Sequence, residues 1–118
     1  MIRALTKIAG PLAACLLSGA AVAHHGWSEY DTSKALTLTG VVQHSGYEHP
    51  HGHIGLEVPG KTWQVILAPP SRMERRGLSR DSLKSGKKVT VMGYPNRSKR
   101  EEMRAERITV DGKTIELR

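Results

Sequence analysis

Residues 68–77 read Ala68-Pro69-Pro70-Ser71-Arg72-Met73-Glu74-Arg75-Arg76-Gly77. Two consecutive prolines stop any strand that precedes them, because proline has no amide hydrogen to give to a ladder. Ser71 and Glu74 have the S-x-x-E spacing of a capping box, and Gly77 is a natural residue to follow a helix end. The spacing predicts a short helix of about two turns. Arg75 and Arg76 near its end suit the negative pole of the helix dipole. The position of this helix decides the fold, because strand patterns stand on both sides of it.

Upstream, Ala35-Leu36-Thr37-Leu38-Thr39-Gly40-Val41-Val42 alternates apolar and β-branched residues, which predicts a strand. Gly40 falls on the apolar face, where a missing side chain marks a bulge or sharp bend. His53-Ile54-Gly55-Leu56-Glu57-Val58 is a second strand. Pro59-Gly60 turns it into a third, Thr62-Trp63-Gln64-Val65-Ile66-Leu67, and the short turn implies an antiparallel hairpin. Downstream, Ser79 to Leu83 suggests one more helical turn. Lys88 to Tyr94 and Met103 to Val110 are strands, and Asp111-Gly112 is a hairpin turn into Thr114-Ile115-Glu116-Leu117. The inward positions are Leu36, Leu38, Val42, Ile54, Leu56, Val58, Trp63, Val65, Leu67, Val89 and Val91.

Three strands, a helix and then two strands with a short third is the OB-fold order. The fold class is all-β with one short helix, a small five- to six-stranded antiparallel OB-like barrel over residues 35–118. Another small roll or half-barrel of the same strands shares the pattern. Residues 24–34, polar with Trp27 and Tyr30, read as an extended N-terminal arm with Trp27 packed on the domain edge.

Residues 1–23 stand apart. Arg3 and Lys7 make a short positive start, Ile8 to Val22 is apolar and small, and Ala21-Val22-Ala23 fits a cleavage rule. This is a signal peptide, too short for a membrane span. Export to the periplasm or beyond is the expectation. The rival is lipid anchoring at Cys15, because Leu12-Ala13-Ala14-Cys15 has the form of a lipoprotein cleavage box. Cys15 is the only cysteine, so after cleavage no disulfide or thiolate metal site exists. The net charge of +7 includes Arg3 and Lys7, and removing them leaves 18 − 2 − 11 = +5. The basic residues are scattered and read as a solvated face.

The chemistry lies in the histidines. All six fall between His24 and His53. Imidazole is the commonest metal ligand. His49, His51 and His53 form an H-x-H-x-H run. On a strand, His51 and His53 share a face, with Glu57 further along it. After cleavage His24 carries a free amine beside its imidazole, and His25 adds a third nitrogen, a set that favours Cu(II). A polar loop and a frayed terminus are the plain alternatives. Met73 and Met103 read as core, and Met92 as outer face.

Catalysis finds little support. Beyond residue 23 there is no cysteine nucleophile, no Gly-rich phosphate loop and no nucleophile elbow. Glu57 beside a metal-bound water is the one conceivable base. Nucleic acid is not an expected partner. Single strands need aromatic platforms, and the chain has two Trp, three Tyr and no Phe.

Several stretches resemble a family of small exported bacterial proteins of unknown function. Its members start the mature chain with His-His and carry Asn-Pro-His before the second strand. The matching residues are His24-His25, Thr39-Gly40-Val41-Val42, Pro50-His51, Lys61-Thr62-Trp63, Arg76-Gly77-Leu78 and Lys87-Lys88-Val89-Thr90-Val91. His49 stands where that pattern has Asn, and His53 where it has an apolar or aromatic residue. The resemblance implies an exported β-barrel-like domain and no reaction.

The expected function is therefore non-enzymatic: transition-metal binding, copper before zinc or nickel, through His24, His25, His49, His51 and His53. The alternative is an interaction module for an envelope protein, with incidental histidines. Intact mass of the exported protein is expected to match a chain that starts at His24. A mass carrying a lipid on Cys15 would overturn both the cleavage position and the amino-terminal site.

Overall fold

The computed structural model describes residues 26–118. The expected leader, Cys15, the cleavage position, His24 and His25 lie outside the described residues.

Six strands form one sheet: β1 (Leu36–Gly46), β2 (His53–Val58), β3 (Lys61–Ile66), β4 (Lys88–Pro95), β5 (Glu102–Val110) and β6 (Lys113–Glu116). Their order is β3-β2-β1-β4-β5-β6. A parallel contact of β3 with β5, Gln64 to Glu102, Val65 to Met103 and Ile66 to Arg104, closes the first five into a barrel. The remaining pairings are antiparallel. The expected barrel is present, closed by one parallel seam, with β6 as an extra strand on β5. Among the described residues no helix is long and apolar enough to cross a membrane.

β1 is longer than its alternation implies and works in two halves. Leu36 to Val41 pairs with β4, and Val41 to Gly46 pairs with β2. Gly40 stands where the strand passes between partners. A Cβ there would collide with the Glu57 carbonyl oxygen and stand 2.9 Å from its carbonyl carbon. Gly40 thus marks a close approach of β1 to β2 rather than the bulge itself. A bulge follows between Val42 and His44.

Helix α1 (Pro70–Arg75) lies between β3 and β4 as expected, with different capping. Pro69 is the N-cap, and no side chain caps the helix. Pro70 occupies the first turn, where a missing amide hydrogen costs nothing, so Ser71 falls inside the helix rather than before it. The other end follows the sequence. Gly77 has φ +90, Leu78 N donates to Met73 O at 2.8 Å and Gly77 N to Glu74 O at 3.1 Å, which is a Schellman closure. Arg72 and Arg76 donate to main-chain oxygens of Leu117 and Glu116, tying α1 to the end of the chain. Arg80–Leu83 forms the further turn, a 3-10 helix.

The core holds Val42, Ile54, Leu56, Val65, Leu67, Val89 and Val91, with Met73 and Met103. Leu36, Leu38, Val58 and Trp63 pack on it half-buried. Trp63 is left half-buried, with Lys61 Nζ 5.6 Å from its ring.

The arm differs from the expected extended segment. Trp27–Glu29 is a 3-10 turn, and Tyr30 bridges to Asn96. Trp27 packs edge-on to Tyr94, with the Arg104 and Arg118 guanidiniums 4.5 and 4.4 Å from its ring. Tyr30 is wholly buried and donates to Glu102 Oε2 at 2.7 Å. A residue read as loop thus carries a buried polar anchor.

Two outcomes follow. Gly40→Ala should cost about 1–3 kcal/mol in urea unfolding, because main chain has to move; an unchanged midpoint would show that β1 and β2 approach less closely. Burial, followed by the Glu102 bond, pushes the Tyr30 hydroxyl far above its ordinary range. The unfolded chain loses that proton near about pH 10 and the folded chain does not, so the contribution is complete below about pH 10 and fades above it. Tyr30→Phe should destabilise by about 1–3 kcal/mol at neutral pH, since Glu102 loses a donor. It should also flatten the alkaline fall in urea midpoint; an equal alkaline fall in both proteins would contradict this.

Candidate functional site

The four described histidines stand at one corner, where β1 ends, a loop crosses and β2 begins. The loop, residues 47–52, is pinned at both ends. Tyr47 Oη donates to Leu78 O at 2.6 Å, and the Arg80 guanidinium lies 5.2 Å from the Tyr47 ring. At the other end Gly52 N donates to Ala68 O, and Leu67 N to Gly52 O. Gly52 also rests on the Met73 methyl, which a Cβ would approach to 2.5 Å. A glycine between His51 and His53 is what lets the loop lie on α1. The His49–Pro50 peptide is cis.

A cleft of about 520 Å³ opens under this loop, lined by Glu48, His49, His51, His53, Gln64 and Glu102 among others. Its floor is the outer side of the β3–β5 seam. Both faces of this part of β5 are covered. Met103 and Ala105 lie in the core, while Glu102 and Arg104, 8% and 5% exposed, lie beneath the arm and the loop. Asn96 Nδ2 donates to Glu102 Oε2 at 3.1 Å, beside the Tyr30 bond. Burial holds the Arg104 guanidinium below its usual value.

His49, His51 and His53 are brought to one cleft, but not as three arms of one strand. β2 begins at His53, so His51 belongs to the loop. His51 Nε2 lies 3.4 Å from an Arg104 terminal nitrogen. A guanidinium can only donate, so Nε2 is the acceptor. Glu57 is exposed on β2, remote from this contact. Among the described residues no three His, Cys, Asp or Glu side chains converge closely enough to hold a metal as they stand.

His53 faces another histidine. Its ring centroid is 6.3 Å from that of His44, at an interplanar angle of 62°. Strict alternation places His44 on the inward face with Val42. The bulge inserts one residue, Gln43, and turns His44 outward opposite Gly55. His53 stands opposite Gly46 in the same register. Each imidazole lies over the glycine across from it: a Cβ on Gly55 would collide with His44 Nε2, and one on Gly46 with His53 Cε1. Glu48 Oε1 and His53 Nε2 stand 2.8 and 2.7 Å from that same Gly46 position. His44 was absent from the expected ligand set. The signal that finds it is the repeated His-x-Gly, His44-Ser45-Gly46 and His53-Ile54-Gly55, in antiparallel register.

The same barrel occurs in solved structures of low identity. The S. pombe Stn1–Ten1 complex contains a chain matched at TM-score 0.53 and 15% identity, over 64% of this chain and 57% of that one. The ZRD-deleted mutant of TiaS, solved with agmatine, is matched at 0.51 and 19% identity, over 75% of this chain and 25% of that one. The chain thus spans little over half of one and a quarter of the other, and the likeness is one of fold. No curated protein sequence is significantly similar to it. Over residues 13–104 the sequence matches DUF6152, a family of unknown function, and the chain belongs to that family.

Proposed function

We propose that this domain is an exported, non-enzymatic metal-binding protein that takes one transition-metal ion at the histidine corner and serves as its carrier, buffer or sensor. One observation carries the reading: three of the four described histidines line a single cleft with Glu48 and Glu102, and the fourth packs on His53. Imidazole with carboxylate suits copper, nickel and zinc, and divalent affinities peak at copper. Copper is therefore the first candidate. Rotation of the imidazole rings at this corner is the step that completes coordination. The amino-terminal His24 and His25 would add donors of the same kind.

The test is calorimetric titration of the tag-free exported protein with Cu(II), beside a synthetic peptide of residues 43–58. One ion per chain, bound more tightly than by the peptide, is the expected result. Protons compete with the ion for the imidazole nitrogens, so affinity should fall as the pH is lowered. Binding no tighter than the peptide's would mean that the fold organises nothing. The reading of this domain as a module for an envelope protein would then replace it.

A further inference from the structure

We propose that the ion sits on the outer face of the β1–β2 ribbon, held by His44 and His53 with Glu48, and that His51 is not a ligand. This rests on the metal-binding reading and names the donors within it.

The ribbon is built for such a pair. The Gln43 bulge places His44 on the face that His53 occupies, and the two become diagonal neighbours across the strands. Glycine opposite each ring removes the side chain that would otherwise hold them apart. The rings lie low on the sheet with centroids 6.3 Å apart. An ion about 2 Å from a nitrogen of each ring would bring the centroids to about 5 Å. The closure needed is about an ångström, together with a turn of the rings. His44 is exposed and has room for that turn. Glu48 Oε1 and His53 Nε2 stand 2.8 and 2.7 Å from where a Cβ of Gly46 would lie, which puts an oxygen donor of charge opposite to the ion's beside the same glycine. Two imidazoles and one carboxylate leave positions for water, as in open metal sites.

His51 faces the other way electrically. Its Nε2 accepts from Arg104, so a cation bound there would meet a guanidinium 3.4 Å from the same nitrogen. Like charges at that separation repel strongly in a partly buried site. Arg104 is itself fixed beneath Trp27 and cannot withdraw cheaply. The cation is thus pushed from the seam toward His53 and His44.

The experiment compares the tag-free protein with His44→Ala, His51→Ala and a form bearing one extra residue before His24, each titrated with Cu(II). His44→Ala should weaken binding by roughly a hundredfold or more, at least the loss seen when a supporting group is removed. His51→Ala and the extended form should bind within a few-fold of wild type. Zn(II) added to 15N-labelled wild type gives a readout free of mutation: the ring nitrogens of His44 and His53 should shift and those of His51 should not. Loss of affinity in His51→Ala alone, or Zn(II) shifts at His51, would overturn this donor set while leaving a metal protein. Loss in the extended form alone would place the ion at the terminus and equally overturn it. Absence of binding in wild type would remove the metal reading itself.

Discussion

The parallel contact between β3 and β5 is the constraint on which the molecule rests. It is short, only Gln64 to Glu102, Val65 to Met103 and Ile66 to Arg104. Without it the strands would form an open sheet, with Val65 and Met103 each facing water on a free edge. At the seam Glu102 and Arg104, two apart on β5, lie on the outside of the wall, and both are buried there. Buried charge is tolerable only when hydrogen-bonded. Tyr30 and Asn96 supply the partners of Glu102, and Trp27 and His51 pack against Arg104. The arm and the histidine loop are therefore answers to the same requirement.

Much of this was legible in the sequence, for plain reasons. Alternation in β2, β3 and β4 gave the strands. The prolines gave the break, Asp111-Gly112 the last hairpin, and Gly77 the helix end. These are local signals, each carried by a few adjacent residues. What stayed hidden depends on partners distant in sequence. Tyr30 looks like any loop tyrosine until Glu102, 72 residues on, is placed beside it. The Ser71–Glu74 spacing looked like a cap, but Pro70 had already started the helix. Trp63 faces the core as alternation implies, yet stays half-buried, because alternation tells the side of a strand and not the depth of burial.

The histidine corner shows the same division. Composition and clustering pointed to the loop, and it does gather there. Which histidines share a face turned on geometry, because an i, i+2 pair on a regular strand shares a face only if both residues are on that strand. His51 precedes β2, and its neighbour is a cation. The ring pair of His44 and His53 lies on the outer face of the barrel, where it depends on a bulge and two glycines rather than on the closure of the wall. Folds of this kind carry unrelated tasks, and the Stn1–Ten1 and TiaS likenesses speak for the barrel alone.

The bulge at Gln43 has a meaning for sequence comparison and for engineering. Its side chain is exposed. What matters there is the number of residues between Val42 and His44. Replacing Gln43 by a residue other than proline gives up its bond from Thr62 Oγ1 but keeps the count that turns His44 outward, whereas deleting the position restores strict alternation and swings that imidazole into the wall of the barrel. A relative aligned with a gap at this point would have the same letters and the opposite face. At that one place the spacing carries the structural information, and a comparison that scores only identity would miss it.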